Sequence, residues 1–125
     1  MPHLTIDYSP NLEAAVDIPA LCDHIRRAAI DTGVFPMAGI RVRAFAATHV
    51  GIADGDAKHG YIDISVRLRK GRTTAAKQAA TQAVFQAACD FLAPVMAQRS
   101  IALSMEMRDI DPELSPKSGT IRDHL

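Results

Sequence analysis

The sequence predicts an α/β protein in which a four-stranded mixed sheet carries two helices on one face. Four short segments alternate apolar and polar residues, which is typical of strands with one buried face. Two longer segments carry apolar residues at helical spacing. The order strand–helix–strand occurs twice, so each half should form a right-handed βαβ unit. Two helices can cover only one face of such a sheet.

Length and composition indicate one ordinary globular domain over residues 1–125. Of these residues, 48% are hydrophobic and 22% are charged. Lys and Arg number 14, as do Asp and Glu, so no overall basic charge favours nucleic acid as a partner. No apolar run approaches membrane-spanning length, and the first residues carry no signal-peptide pattern. We therefore predict a cytoplasmic protein with neither a nucleic-acid nor a membrane partner.

The first βαβ unit is predicted from three periodic segments. Residues 2–8 form a strand, and proline is tolerated as its first residue. A helix over 18–32 begins after the N-cap Asp17 and stops at Gly33. Residues 40–48 form the second strand, in which apolar residues alternate with Arg41, Arg43 and Phe45.

The second unit repeats this order. A strand over 61–69 leads through a Gly-Arg turn to a helix that Thr73 caps and that runs to about Gln98. Pro94 should kink or end the last turn of this helix. The fourth strand covers residues 100–108. The helix carries a predicted core stripe of Ala76, Ala80, Val84, Ala87, Phe91, Val95 and neighbouring residues.

The remaining segments show no motif for metal, phosphate or redox chemistry. Residues 51–60 are glycine-rich but lack the Lys-Ser/Thr of a phosphate loop, which indicates a surface connection. Residues 111–125 read as an irregular arm. Cys22 and Cys89 fall in predicted helices without Cys-x-x-Cys spacing, and the histidines show no ligand spacing. We predict no metal and no cofactor, and free thiols fit a reducing compartment.

The uncovered sheet face should be polar and of mixed charge. It is either a plain solvated face or a surface that meets other subunits around a symmetry axis, and composition does not decide between them. On the first interpretation its arginines are solvated or paired with neighbouring carboxylates. The predicted residues of this face are Thr5, Asp7, Arg41, Arg43, Asp63, Ser65, Arg67, Glu106 and Arg108.

Pro2 is the residue of greatest chemical interest. It follows Met1 directly, and a small residue there normally allows the methionine to be removed. The chain would then begin with a secondary amine that can accept a proton. An α-amino group titrates at about 7.7–8.0, and proline is intrinsically more basic, so a neutral base needs a lowered pKa. Burial and nearby cations both lower it.

The proline start, the doubled βαβ order and the placement of arginines together resemble the tautomerase superfamily. Within it, four stretches are similar to the 5-carboxymethyl-2-hydroxymuconate isomerase family, and the likeness covers essentially the whole length. A proline within the long helix and the alanine-rich surface of that helix depart from the family pattern. The four stretches are MPHLTIDYSPN, DTGVFPMAGIRVR, the GR turn before the second helix, and ALSMEMRDIDPEL.

The resemblance implies a cofactor-independent homotrimer whose sheets surround the threefold axis. It implies that Pro2 is the catalytic base and then the acid, and that Arg41 and Arg72 hold substrate carboxylates. Arginine suits this role because its planar guanidinium stays ionised. An alternative interpretation makes Arg72 merely a first-turn residue of the long helix, although a cation there opposes the helix dipole.

Three functional hypotheses follow. The first is an isomerase (keto–enol and C=C transposing) that ketonises 5-carboxymethyl-2-hydroxymuconate, a small polycarboxylate, in homoprotocatechuate catabolism. The second is a related tautomerase of another enol acid, such as phenylenolpyruvate, or a dehalogenase-like hydratase. The third is a non-catalytic trimeric module that binds a ligand. Turnover of enol acids, and its loss on changing Pro2, would separate the third hypothesis from the others.

Overall fold

The computed structural model describes all residues from 1 to 125 and contains every predicted strand and helix. Each end lies within two residues of its predicted position. Strand β2 is shorter than predicted, whereas β3 and β4 are longer because they pair with each other from His59–Ser100 to Arg69–Ile110. The elements are β1 (His3–Tyr8), α1 (Ile18–Asp31), β2 (Arg41–Ala46), β3 (His59–Arg69), α2 (Thr74–Met96) and β4 (Ser100–Ile110).

The two βαβ units join into one four-stranded sheet of order β2-β1-β3-β4. Strand β1 runs parallel to β2, and β3 runs parallel to β4. The central strands β1 and β3 are antiparallel, with Ile6 opposite Ile64. The predicted mixed sheet is therefore confirmed, and the first strand of each unit lies at its centre.

Both helix N-caps form as predicted. The side chain of Asp17 accepts a hydrogen bond from the backbone N–H of Ala20 at 3.0 Å, and that of Thr73 accepts one from Ala76 at 3.1 Å. Helix α1 ends before Gly33, whose φ of 70° is a conformation that glycine adopts without strain.

The core lies between the two helices and one face of the sheet. Its centre is Ile6 and Ile64, which are fully buried. The predicted stripe on α2 faces the core: Ala80 and Val84 are buried, and Phe91 and Val95 pack half-buried against the core. The most buried positions continue from Val84 in steps of four, and Ala87 lies half-buried beside them. Such a line winds around the helix, so α2 crosses the core at an angle. The most buried residues of α2 are Ala80, Val84, Ala88 and Leu92.

The end of helix α2 and the irregular C-terminal arm lie close to their predicted positions. Pro94 is exposed inside α2, and the helix ends shortly after it, at Met96. Residues 111–125 form an arm without strands and contain one short 3-10 turn, Ile121–His124. No helix combines the length and the apolar character needed to cross a membrane.

The other sheet face is open and polar, as predicted, and its charges are segregated. One row across the sheet, at the start of β1, consists of Arg41, His3, Arg67 and Arg108. Further along, Asp7 lies opposite Asp63. The two carboxylates accept hydrogen bonds from Tyr61 Oη (2.7 Å) and Ser104 Oγ (2.6 Å), not from arginines. The basic end of this face is therefore the end that carries Pro2.

Candidate active site

Strand pairing brings Pro2 and Arg41 together. The backbone N–H of Arg41 donates to the carbonyl oxygen of Pro2 at 3.2 Å, and the next residue, His3, lies opposite Arg41 in the β1–β2 ladder. Pro2 directly precedes the central strand β1, and Arg41 begins the edge strand β2, so the pairing of the two strands fixes their separation. The side-chain Nη1 of Arg41 also donates to the carbonyl oxygen of Gly39 at 2.6 Å, which orients the guanidinium.

Gly39 allows the chain before β2 to approach the proline ring closely. A Cβ built on Gly39 would lie 2.8 Å from Cδ of Pro2 and 3.5 Å from Cα of Met1. The Pro2 ring is almost completely buried and rigid, so it cannot move aside cheaply. This glycine is consequently required by space, not by an unusual φ.

We expect Gly39→Ala to lower kcat/KM by about tenfold, because an overpacked contact that costs about 1–3 kcal/mol must displace Pro2 or the chain opposite it. Gly51→Ala is the matched control, since no atom lies within 4 Å of a Cβ added there. The measurement is steady-state kinetics of both variants, together with their urea midpoints. Equal activity of the two variants would contradict the assigned role of Gly39.

The third predicted site residue, Arg72, lies at the end of β3. It follows Gly71, whose φ of 131° favours glycine, and its Nη1 donates to the carbonyl oxygen of Arg69 at 2.9 Å. Because Thr73 is the N-cap, Arg72 precedes α2. The interpretation of Arg72 as a first-turn residue of the helix is therefore wrong.

A cavity of about 520 Å³ opens beside the N-terminus. Pro2 and Arg41 line it, whereas Arg72 does not. Its opposite wall is the C-terminal arm, which contributes Lys117 and Arg122 together with the carboxylate of Asp123. The remaining lining residues are Met1, Pro36, Ala38, Gly39, Ser118, Gly119 and Ile121.

The role of the arm in the cavity was not predicted from the sequence. A second cavity of about 120 Å³ lies on the other side of Met1, and Arg67, Arg69 and Lys117 line it. Met1 and Lys117 are common to both cavities. The only signal for the arm in the sequence was the presence of basic residues in an otherwise irregular tail.

The surroundings of the N-terminus favour an uncharged amine. Burial lowers the pKa of the Met1 amino group, and the positive charges of Lys117, Arg69, Arg72 and Arg41 lower it further. The structure thus places both predicted arginines close enough to act electrostatically on the N-terminus. Neither cation forms an ion pair with Asp7, Asp63 or Glu106, the carboxylates considered from the sequence.

His3 is also kept neutral at this end of the sheet. Burial lowers its pKa, and so do the charges of Arg67, Arg43 and Arg41. Its Nδ1 lies 3.2 Å from Nη1 of Arg43, and because guanidinium is only a donor, this ring nitrogen accepts. His3 therefore adds no positive charge and orients Arg43.

The chain offers no evident centre for a metal ion. No three or more His, Cys, Asp or Glu side chains are grouped so as to hold one. Cys22 and Cys89 are both free and half-buried. The charged groups around the N-terminal amine are mainly guanidinium and ammonium groups.

The doubled βαβ sheet, in which Pro2 directly precedes the central strand β1, defines a protein of the tautomerase class. A solved structure of the Q0 fused 4-OT wild-type symmetric trimer shares the fold, with a TM-score of 0.64, 21% identity and coverage of 94% of this chain and 92% of that chain. The chain belongs to the 5-carboxymethyl-2-hydroxymuconate isomerase family, whose model matches residues 2–125. It is an isomerase.

Two relatives support the same assignment over nearly full length. The chain is 29% identical to the 5-carboxymethyl-2-hydroxymuconate Delta-isomerase of Escherichia coli over 121 residues, which are 97% of this chain and 96% of that protein. It is also similar to a crystal structure of a 5-carboxymethyl-2-hydroxymuconate delta-isomerase, with a TM-score of 0.91 and 31% identity. That match covers 99% of this chain and 92% of the other.

Proposed function

We propose that this isomerase ketonises 5-carboxymethyl-2-hydroxymuconate in homoprotocatechuate catabolism, without a cofactor. The observation that carries the proposal is that Pro2, directly after Met1, lines a cavity whose charged side chains are mainly cationic. The proposed substrate is a conjugated dienol with three carboxylates, two from the muconate chain and one from the carboxymethyl group. A cationic cavity suits such an anion.

Pro2, freed by removal of Met1, is the proposed proton carrier. Its neutral nitrogen takes the proton from the 2-hydroxyl, which leaves a dienolate. The negative charge then delocalises to C5, the same nitrogen returns the proton there, and the product is the 2-oxo acid with a double bond between C3 and C4. One amine can act as base and then as acid when its pKa is near the working pH.

Arg41 and Arg72 are the proposed substrate-binding residues. Arg41 lines the cavity beside Pro2, so its guanidinium can reach a carboxylate next to the reacting enol. Arg72 lies outside the cavity wall while Met1 is present. Met1 lines both cavities, so its loss is expected to join them. Arg72 donates to the carbonyl oxygen of Arg69, which lines the second cavity, and is therefore proposed to act from that side. The same cations stabilise the charge that develops on the dienolate.

We infer that the enzyme is a cytoplasmic homotrimer. The open polar sheet face supports an interface in which its basic end meets acidic groups of a neighbouring copy, and the fused 4-OT relative is a symmetric trimer. The two free cysteines fit a reducing compartment. Sedimentation equilibrium should give three times the chain mass of 13.5 kDa.

The substrate assignment is tested by comparing two enols. We expect kcat/KM for 5-carboxymethyl-2-hydroxymuconate to exceed that for phenylenolpyruvate at least a hundredfold, because the latter has one carboxylate to pair with the cationic cavity. Loss of two charge-assisted contacts accounts for that factor at about 1.5–3 kcal/mol each. Ketonisation followed by ultraviolet absorbance provides the measurement. Faster turnover of phenylenolpyruvate would reject the proposed substrate, and no turnover of either enol would favour a binding module.

A further inference from the structure

The positive charge of this chain is concentrated around the N-terminus. Five of its 14 Lys and Arg side chains line the two cavities that flank Met1, whereas only one of its 14 Asp and Glu side chains does so. The protein as a whole has no net charge at pH 7. The five cations are Arg41, Arg67, Arg69, Lys117 and Arg122, and the one carboxylate is Asp123.

Several of these cations already have partners within the protein. Arg41 donates to the carbonyl oxygen of Gly39. Arg69 donates from Nη1 to the carbonyl oxygen of Ser115 at 3.4 Å and from Nη2 to that of Pro112 at 3.3 Å. Arg69 therefore ties the C-terminal arm to the end of β3, and acts there as a positioning residue for the arm.

Lys117 lies two residues after Ser115, where Arg69 binds the arm, and it differs from Arg41 and Arg69 in having no partner. It is exposed, and its ammonium group makes no hydrogen bond or ion pair within the chain. It is also the only cation that lines both cavities. An unpaired ammonium group between two cavities, beside the catalytic amine, is available to bind a ligand.

The pKa of the Met1 amine also indicates that Lys117 lies close to the N-terminus. Among the charged groups that lower the pKa of the Met1 amine, after burial, Lys117 has the largest effect. Its charge is therefore felt more strongly at the amine than that of either predicted arginine. Arg122 and Arg67, by contrast, each line a single cavity.

We propose that Lys117 of the C-terminal arm binds the third carboxylate of the substrate and thereby makes the site selective for tricarboxylates over dicarboxylates. The inference rests on the substrate class of the proposed function. With Arg41 and Arg72 on the two muconate carboxylates, Lys117 faces the carboxymethyl group across the cavity. A flexible ammonium suits this role, since the carboxymethyl arm rotates about a single bond.

Calorimetric titration of the mature chain with two saturated, unreactive probes tests the proposal. The probes are 2-(carboxymethyl)hexanedioate, which has the three carboxylates, and hexanedioate, which lacks the carboxymethyl group. We expect Lys117→Met to weaken binding of the tricarboxylate about tenfold or more, the scale of one charge-assisted hydrogen bond. The affinity for hexanedioate should change less than threefold, and Lys117→Arg should retain most of the preference for the tricarboxylate.

The matched control is Lys58→Met. Lys58 is exposed and precedes β3 at the end of the strand opposite to Arg69. The affinity of the Lys58→Met variant for each probe should therefore equal that of the wild-type chain. Equal weakening of both probes by Lys117→Met would overturn the proposal, as would no weakening of either or a wild-type chain that binds neither. Because the probes need no turnover, a wild-type chain that binds them with the expected preference but fails to ketonise the enol would overturn only the proposed function.

Discussion

A chain that carries one extra residue before Pro2 is expected to lose about a thousandfold or more in kcat/KM. The extra peptide bond turns the Pro2 nitrogen into an amide, which cannot accept the hydroxyl proton. General acid–base catalysis contributes about 10²–10⁴-fold, and both proton transfers proposed here use this nitrogen. Ketonisation rates of the extended and the mature chain provide the measurement, after intact-mass spectrometry has established the first residue of each.

Pro2→Ala tests whether any N-terminal amine is sufficient or whether the secondary amine of proline is required. After removal of Met1 this variant still begins with an amine, but a primary and more mobile one, so we expect an activity between those of the mature and the extended chains. Circular dichroism and sedimentation establish that each variant folds and assembles. An extended chain as active as the mature one would show that another group carries the proton, and the mechanism would then be wrong.

Most of the fold could be predicted because it depends on local patterns. Strict alternation in β3 and the caps Asp17 and Thr73 define elements without knowledge of their neighbours. The stripe of α2 was harder, because alanines occupy so much of this helix that several faces look equally apolar. Only packing against α1 and the sheet selects the line through Ala88 and Leu92.

The site was predictable only in part. Pro2 and Arg41 lie at the start of neighbouring strands whose pairing follows from the βαβ order, Pro2 directly before β1 and Arg41 as the first residue of β2. The position of Arg72, by contrast, depends on the turn at Gly71. The C-terminal arm could not be placed, because no periodicity marks it. Its position depends on hydrogen bonds from Arg69 to backbone carbonyls, which every residue of the arm possesses. Lys117 was therefore missed, although it lies beside the N-terminus.

Replacing Arg41 is expected to change both the rate and its dependence on pH. Arg41→Ala should lower kcat/KM by about 10²–10³-fold, the scale observed when one group that stabilises developing charge is removed. Arg41→Lys should recover part of this loss, since lysine keeps the charge but not the planar fork. Arg26→Ala is the control, because Arg26 lies exposed on α1, paired with Asp23 at 2.6 Å.

The dependence of kcat/KM on pH should shift in a defined direction when either arginine is removed. The base works as the neutral amine, so kcat/KM rises with pH through the pKa of the free enzyme's N-terminus. Arg41 and Arg72 lower the pKa of the N-terminal amine in the structure, so removing either one raises it. The acidic limb of the profile should therefore move to higher pH in Arg41→Ala and in Arg72→Ala, and stay in place in Arg26→Ala. Rate loss without this shift would leave the arginines as carboxylate ligands only, and the claim that they keep the proline nitrogen uncharged would be wrong.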